Sequence, residues 1–365
     1  MRAALYGRHL GRQVRTGIEV YAEGIIGHLL EMDGDWVVLY PAGASSWHKA
    51  SSHRRQAMLR SSSSLLPLAG EIGCMLKHEK CDVFYNPGQY APLSSPCPVV
   101  ATALDVAWRY YPDYFPLAKR IGFDCLTRHA CRSADRIIAI SQSTCRDLVE
   151  IYRCPPGKIV VAYPGINHEL FNPVLSNDDA VLRRYGLKMG GYILFLGTLQ
   201  KRKNLIRLIG AFGRMKGTSL PLVLAGGQGW FYKEIAEAIA RSPRRAEIVE
   251  TGYVEALERP ALYRNAACTA YVSLYEGFGF PVAEAMACGC PAVVSTASSL
   301  PEITGDVGWR VDPLNEEEMT IALEQAAAVG MEPGLRAAAC ARAQIFDWRR
   351  SAEIVHAALR SSSMR

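Results

Sequence analysis

Glu276-Gly277-Phe278-Gly279-Phe280-Pro281-Val282-Ala283-Glu284 follows, after Tyr275, on the apolar run Thr269–Leu274 and opens a helical pattern over Val282–Cys288. The run reads as a buried strand, so these nine residues mark a strand that turns through glycine into a helix. Gly277 and Gly279 let the backbone turn closely around a ligand, and Pro281 is pre-set for the first helical position. Glu284 is then expected within the first helical turn. Such a helix start carries roughly half a positive charge, which suits a diphosphate or the sugar hydroxyls beside it. A carboxylate on that turn can accept two hydrogen bonds from a ribose diol. A tight turn followed by a helix-favouring glutamate would account for the same residues without a ligand.

A second cluster weighs against that plainer account. Gly197-Thr198-Leu199-Gln200-Lys201-Arg202-Lys203-Asn204 also lies between a strand and a helix. Three consecutive cations at a helix start oppose the helix dipole, so helix stability does not explain them and an anionic partner is expected. A nucleoside diphosphate would serve, with the Arg fork and the Lys point charge neutralising it.

Both clusters sit in a repeated strand, turn and helix grammar. In the first half, Arg2–Tyr6, Trp36–Tyr40, Asp82–Tyr85, Pro98–Leu104, Arg136–Ile140 and Lys158–Ala162 read as strands, several nearly all apolar as buried parallel strands are. Between them run helical patterns such as Ile18–Glu31, where Ile18, Tyr21, Ile25, Ile26, Leu29 and Leu30 share a face. The stretch Pro164–Asn177 is rich in Pro, Gly and Asn and breaks the pattern. A second cycle follows, with candidate strands Tyr192–Leu196, Pro221–Leu224, Glu247–Thr251, Thr269–Leu274 and Ala292–Ser295, helices near Leu205–Met215, Phe231–Arg241 and Ala256–Asn265, and closing helices Glu316–Ala328 and Trp348–Arg360. The expectation is an α/β chain of two Rossmann-like domains with parallel sheets: residues 1–168, a linker 169–185, and 186–346, with 347–365 packing back on the first.

Composition bounds the function classes. At 49% hydrophobic and 21% charged residues the chain is ordinary for a globular protein. No apolar run approaches the ~18–20 residues of a membrane span. The start, MRAALYGRHLG, lacks the apolar core and cleavage site of a signal peptide and reads as a first strand, which points to the cytoplasm. The net charge of +6 suits an anionic small molecule or a weakly anionic membrane face and does not call for nucleic acid. Eleven scattered cysteines without a CxxC pair read as buried thiols rather than as disulfides or a zinc site. His48, His53, His78, His129 and His168 show no ligand spacing, and Asp33-Gly34-Asp35 reads as a turn, so no metal site is expected. The basic stretches Trp47–Arg60 and Lys119–Arg136 offer peripheral contact with an anionic inner membrane face; solvated helix faces explain them nearly as well.

Glu276 to Glu284 matches the Glu-x7-Glu pattern of the family-4 retaining glycosyltransferases of GT-B fold, and YEGFGFPVAEAMACGCPAV resembles that family's donor-site stretch almost residue for residue. GTLQKRKNL is similar to the segment whose Arg and Lys grip the donor diphosphate, here Arg202 and Lys203. LVLAGGQGW and ETGYV resemble segments lining the base pocket, which nominates Gly226, Tyr253 and Val254. ADRIIAISQST, VVAYPGIN and SSLPEI resemble further segments of the family. The resemblance implies two domains facing a deep cleft, Glu284 on the ribose, Glu276 on the sugar hydroxyls, and the backbone at Phe278 and Gly279 on sugar and phosphate. Thr16-Gly17 resembles the glycine turn that faces the diphosphate from the first domain.

Two departures stand out. Where many members carry Gly-Arg this chain has Gly197-Thr198, so one cation is missing unless Lys201 or Arg202 substitutes. Where related sequences read His-Asp it has Leu104-Asp105, so the backbone, Asp105 or Arg109 would have to supply the contact. A structural turn residue at a strand end accounts for Asp105 equally well. The activity implied is metal-independent and cofactor-free transfer of a hexose, mannose from GDP-mannose being the first donor guess, from a nucleotide sugar to a saccharide or lipid-linked acceptor in bacterial surface polysaccharide assembly. A GT-B nucleotide-sugar epimerase and a degenerate nucleotide-binding partner subunit remain as alternatives.

Overall fold

The computed structural model describes residues 1–12, 16–44, 53–61, 70–174 and 178–364. His48 and residues 45–52, within the basic stretch Trp47–Arg60, lie outside the described residues, as do linker residues 175–177. The chain divides into two compact units. One comprises Met1–Arg109, Pro116–Gly165 and Asp347–Arg365; the other comprises Tyr110–Phe115 and Ile166–Phe346.

In the first unit, β1 (Arg2–Tyr6), β2 (Asp35–Tyr40), β3 (Arg54–Met58), β4 (Val83–Asn86), β5 (Val99–Ala103), β6 (Arg136–Ala139) and β7 (Ile159–Val161) form a parallel sheet in the order β3-β2-β1-β4-β5-β6-β7. The central strands are apolar on both faces, with Leu5, Val37, Val38, Phe84 and Val100 at 0% exposure, as burial between helix layers requires. The helix Gly17–Leu30 lays Tyr21, Ile25, Ile26 and Leu29 on the sheet. The helix Trp348–Ser363 packs beside it, its Trp348 ring tilted on Tyr21 at 6.0 Å. That ring fills the space two glycines leave: a Cβ on Gly24 would stand 2.4 Å from the indole, and one on Gly165 2.2 Å from the Trp348 nitrogen.

Strand β3 corrects the sequence reading, which takes Arg54–Met58 for part of a basic stretch. At the sheet edge a strand needs no apolar face, and Arg55 is held by Asp35 at 3.5 Å and Glu79 at 3.7 Å.

In the second unit, β8 (Ile193–Leu196), β9 (Leu222–Ala225), β10 (Ile248–Gly252), β11 (Cys268–Tyr271), β12 (Ala292–Ser295) and β13 (Trp309–Val311) pair in the order β10-β9-β8-β11-β12-β13, again all parallel. The strand order reverses between β8 and β11, so the carboxyl ends of these two strands flank the place where an open parallel sheet takes its ligand. Strand β13 and the helix Pro333–Ala343 are absent from the sequence reading; the first is three residues long and the second has alanines in place of a strong apolar stripe. Among the described residues no helix is long and apolar enough to cross a membrane, and no group of three or more His, Cys, Asp or Glu is placed to hold a metal ion.

Candidate active site

The loop that leaves β8 and the loop that leaves β11 meet at the switch point. Asn204 ties them together, its Nδ2 donating to the carbonyl oxygens of Val272 (3.0 Å) and Pro313 (2.7 Å), while the Leu274 N–H donates to the Arg202 carbonyl at 3.0 Å. Asn204 takes a left-handed backbone, φ 61°, that asparagine tolerates, and it opens the helix Leu205–Arg214. Lys201–Lys203 therefore form a separate tight turn ahead of that helix rather than its first residues.

This geometry brings Arg202, Lys203 and Glu276 together. Lys203 Nζ lies 2.5 Å from Glu276 Oε1, and Arg202 Nη1 lies 3.3 Å from Oε2 and also donates to the Tyr275 carbonyl. Lys203 and Glu276 are 8% and 7% exposed, so the pair is sheltered from solvent screening. The Lys203 ammonium also stands 5.0 Å over the Tyr271 ring. Burial by itself would push the Glu276 carboxyl up; the charges of Lys203 and Arg202 and the hydrogen bond from Lys203 reverse this and hold it at about 2. The anionic partner expected for the three cations is thus present in the protein, because Lys201 in turn pairs with Glu234 at 2.7 Å.

The glycine loop is pinned from the other side. The Glu276 N–H donates to Ser298 Oγ at 2.8 Å, and Ser299 Oγ lies 2.9 Å from the Glu276 carbonyl and 2.5 Å from that of Phe278. Gly279 has φ 122°, and a Cβ there would stand 2.8 Å from Leu300. The helix it caps, Phe280–Ala287, differs in detail from expectation. Pro281 is its second residue and Glu284 its fifth, in the second turn, and the N–H groups of Val282 and Ala283 both go to the Gly279 carbonyl. The helix start keeps its dipole and offers fewer amides than the sequence implies. Glu284 is 6% exposed, receives a hydrogen bond from the Tyr263 hydroxyl at 3.3 Å, and is pushed up by burial, an effect that the Arg259 charge and this hydrogen bond offset in part.

Gly226 follows β9 with φ 144° and donates its N–H to the Gly252 carbonyl at 2.8 Å. Any side chain there would collide with the Gly197 backbone, a Cβ standing 2.0 Å from its carbonyl oxygen. Two further bonds, Leu199 N to the Gly227 carbonyl and Gly229 N to the Leu199 carbonyl, zip the loops after β8 and β9 together. Tyr253 and Val254 follow β10, the first 51% exposed and the second buried.

The remaining sequence-derived residues belong to the first unit. Thr16 caps the helix Gly17–Leu30, its N–H and hydroxyl donating to Glu19 Oε2 at 3.0 and 2.5 Å. Glu19 also meets His9 Nδ1 at 3.1 Å; burial would raise its carboxyl, and the bonds from His9 and Thr16 hold it at about 2. Asp105 Oδ1 accepts the Ala107 N–H at 3.1 Å, which is the turn role, and its carbonyl accepts from Gln89.

Comparison with known proteins identifies the family. The family described as "Glycosyl transferases group 1" matches residues 182–329, and "Glycosyltransferase Family 4" matches residues 15–170. O-antigen chain mannosyltransferase B of Escherichia coli is 30% identical over 275 residues, 73% of this chain and 72% of that protein. The chain is a group 1 glycosyltransferase. Against two other relatives the match spans less: 57% of a D-inositol 3-phosphate glycosyltransferase of Kribbella flavida, at 32% identity over 63% of this chain, and 28% of serotype-specific mannosyltransferase WbdA of Escherichia coli, at 27% identity over 60% of this chain. The fold is shared with sucrose-phosphate synthase from Thermosynechococcus elongatus (TM-score 0.77, 18% identity, 99% of this chain and 98% of that one) and with Anabaena HepE solved with UDP (TM-score 0.77, 19% identity, 99% and 100%), two Rossmann-like units of GT-B type.

In this glycosyltransferase the sequence reading misses Ser298 and Ser299, which hold the Glu276 backbone, Tyr263, which donates to Glu284, and Tyr271, whose ring lies under the Lys203 ammonium. No spacing rule points to them; SSLPEI resembles a family segment without singling out its serines. Glu19 did carry a signal, since Thr16-x-x-Glu19 is a capping-box pattern.

Proposed function

We propose that this glycosyltransferase moves a hexose from a nucleoside diphosphate sugar to a hydroxyl of a saccharide or lipid-linked saccharide, with retention of anomeric configuration. GDP-mannose is the first candidate donor, a choice supported by the relatives named as mannosyltransferases of O-antigen and serotype polysaccharide. Residues 186–346 are the donor-binding part and residues 1–168 the acceptor-binding part, of which Tyr110–Phe115 falls in the second compact unit. The observation that carries the proposal is the buried cluster of Arg202, Lys203 and Glu276 beside a glycine-capped helix bearing Glu284.

Bond cleavage at the anomeric carbon leaves an oxocarbenium-like sugar and builds negative charge on the diphosphate. Arg202 and Lys203, already fixed by Glu276, neutralise that charge without reorganising, which is where preorganised donors contribute most. Glu276, held at about 2 and engaged by two cations, is a poor nucleophile and a good acceptor for the sugar hydroxyls. These features support a front-face path in which the departing phosphate oxygen takes the acceptor proton. Glu284 accepts from the ribose, and Gly226, Tyr253 and Val254 shape the base pocket. Neither a metal ion nor a cofactor enters the path, and the enzyme works in the cytoplasm.

The test is direct. With GDP-mannose and a saccharide acceptor the chain is expected to release GDP, unaffected by EDTA, and to give an α-linked product in NMR of the anomeric carbon. An inverted product, or conversion of the sugar without an acceptor, would contradict the proposal.

A further inference from the structure

The loop after β9 ends in Trp230 and Phe231, which are 44% and 45% exposed. Phe231 opens the helix Tyr232–Arg241 with φ 61°, a left-handed conformation that a bulky side chain adopts only against its own sterics. Burial does not account for the strain, because the ring stands half in solvent. Lys201 Nζ lies 5.9 Å from the Phe231 ring centre and 5.3 Å from that of Tyr114, and Glu234 fixes it at 2.7 Å. Tyr110–Phe115, a segment of the same unit, extends the aromatic surface. Phe115 meets Trp230 edge-on at 6.2 Å, Tyr111 stacks on Tyr114 at 5.6 Å, and Tyr110, 47% exposed, stacks at 5.2 Å on Tyr275, the neighbour of Glu276.

We propose that this surface is a saccharide-binding subsite that holds sugar rings of the acceptor by stacking. Pyranose rings present apolar C–H faces to aromatic faces, while the Lys201 ammonium donates to their hydroxyls. An exposed aromatic patch bordered by charged groups marks a binding surface. The exposed rings come from two separate segments, Tyr110 in one and Trp230 and Phe231 in the other, which favours a run of sugar units. The surface is continuous with the donor site through Tyr275–Glu276 and Lys201–Arg202. Naming the bound saccharide an acceptor rests on the glycosyltransfer reading; the binding itself does not.

The experiment titrates α-linked mannotetraose into the intact protein without nucleotide sugar, followed by tryptophan fluorescence and calorimetry. The wild type is expected to bind, and Trp230→Ala and Phe231→Gly each to weaken binding about tenfold. Phe231→Gly relieves the strained backbone while removing the ring, so it is expected to unfold at the same temperature as the wild type or higher. GDP binding, measured in parallel, is expected to be unchanged in Phe231→Gly. Absence of mannotetraose binding by the wild type, or equal affinity in all three proteins, would overturn the proposal. So would loss of GDP affinity with saccharide binding intact, which would make the surface a nucleobase platform. Failure of every protein to bind GDP would count against the donor-site reading instead, leaving the saccharide result to be judged by itself.

Discussion

Lys203 and Glu276 leave two different strands, 73 residues apart in sequence, and close to 2.5 Å with less than a tenth of either exposed. A pair so placed is costly to break from one side, since the survivor is left as an uncompensated buried charge. Glu276→Ala strands two cations and is expected to lose about 3–5 kcal/mol of stability. Lys203→Met is expected to lower the transfer rate on the order of 100-fold or more, because it removes a donor aimed at the leaving diphosphate. Urea unfolding and steady-state kinetics on the two variants separate these effects; wild-type stability in Glu276→Ala would contradict the pairing.

Glu284 differs from Glu276 in the sign of its shift. Its folded carboxyl is raised above the ordinary 4.5 by burial, so the ionised form destabilises the fold above that raised value and the penalty vanishes below about 4.5. Glu284→Gln is therefore expected to be more stable than the wild type near neutral pH, with the gain shrinking as pH falls towards 4.5. The same variant is expected to bind the nucleotide sugar more weakly. A stability difference that grew on acidification would show the burial argument to be wrong. Glu276 titrates the other way: its stabilising effect holds above 4.5 and is lost as pH falls through about 2.

Gly226 tests the backbone. Its φ of 144° and the 2.0 Å approach to the Gly197 carbonyl leave no room for a methyl group, whereas Gly227 beside it has nothing within 4 Å of a Cβ position. Gly226→Ala is expected to cost at least about 2 kcal/mol in urea unfolding and to abolish donor binding. Gly227→Ala is expected to stay within about 0.5 kcal/mol of the wild type. Equal effects at the two positions would remove the reason for the loop pairing of β8 and β9.

The carboxyl-terminal helix belongs to the first unit through Trp348, which occupies the hollow above Gly24 and Gly165. Trp348→Ala is expected to cost about 3–5 kcal/mol. Truncation after Phe346 exposes that hollow outright and is expected to abolish transfer, as read by nucleotide release and thermal unfolding. Full activity in the truncated chain would refute the role given to this helix.

Sequence carried the fold through its most buried parts. Strands such as β1, β4 and β12 are short apolar runs with no solvent face, and the glycines at 197, 226 and 279 announce turns that only glycine makes. It failed at edges and in alanine-rich helix: β3 reads as charge, β13 is too short for a period, and Pro333–Ala343 buries only small side chains. At the site, Arg202, Lys203, Glu276 and Glu284 were legible because their residue types sit at strand-to-helix turns. Their mutual pairing was not, since no local rule predicts that Glu276 rather than a ligand neutralises Lys203. Nor could spacing reveal that the Val282 amide also turns to the Gly279 carbonyl.

The central claim, that these four side chains surround an activated sugar, is tested most directly by a crystal structure of the protein with bound GDP-mannose. The expected result has Arg202 and Lys203 within about 3 Å of the diphosphate oxygens, Glu284 on the ribose hydroxyls and Glu276 on the sugar ring. A nucleotide bound elsewhere, with Lys203 and Glu284 making no contact to it, would contradict the account.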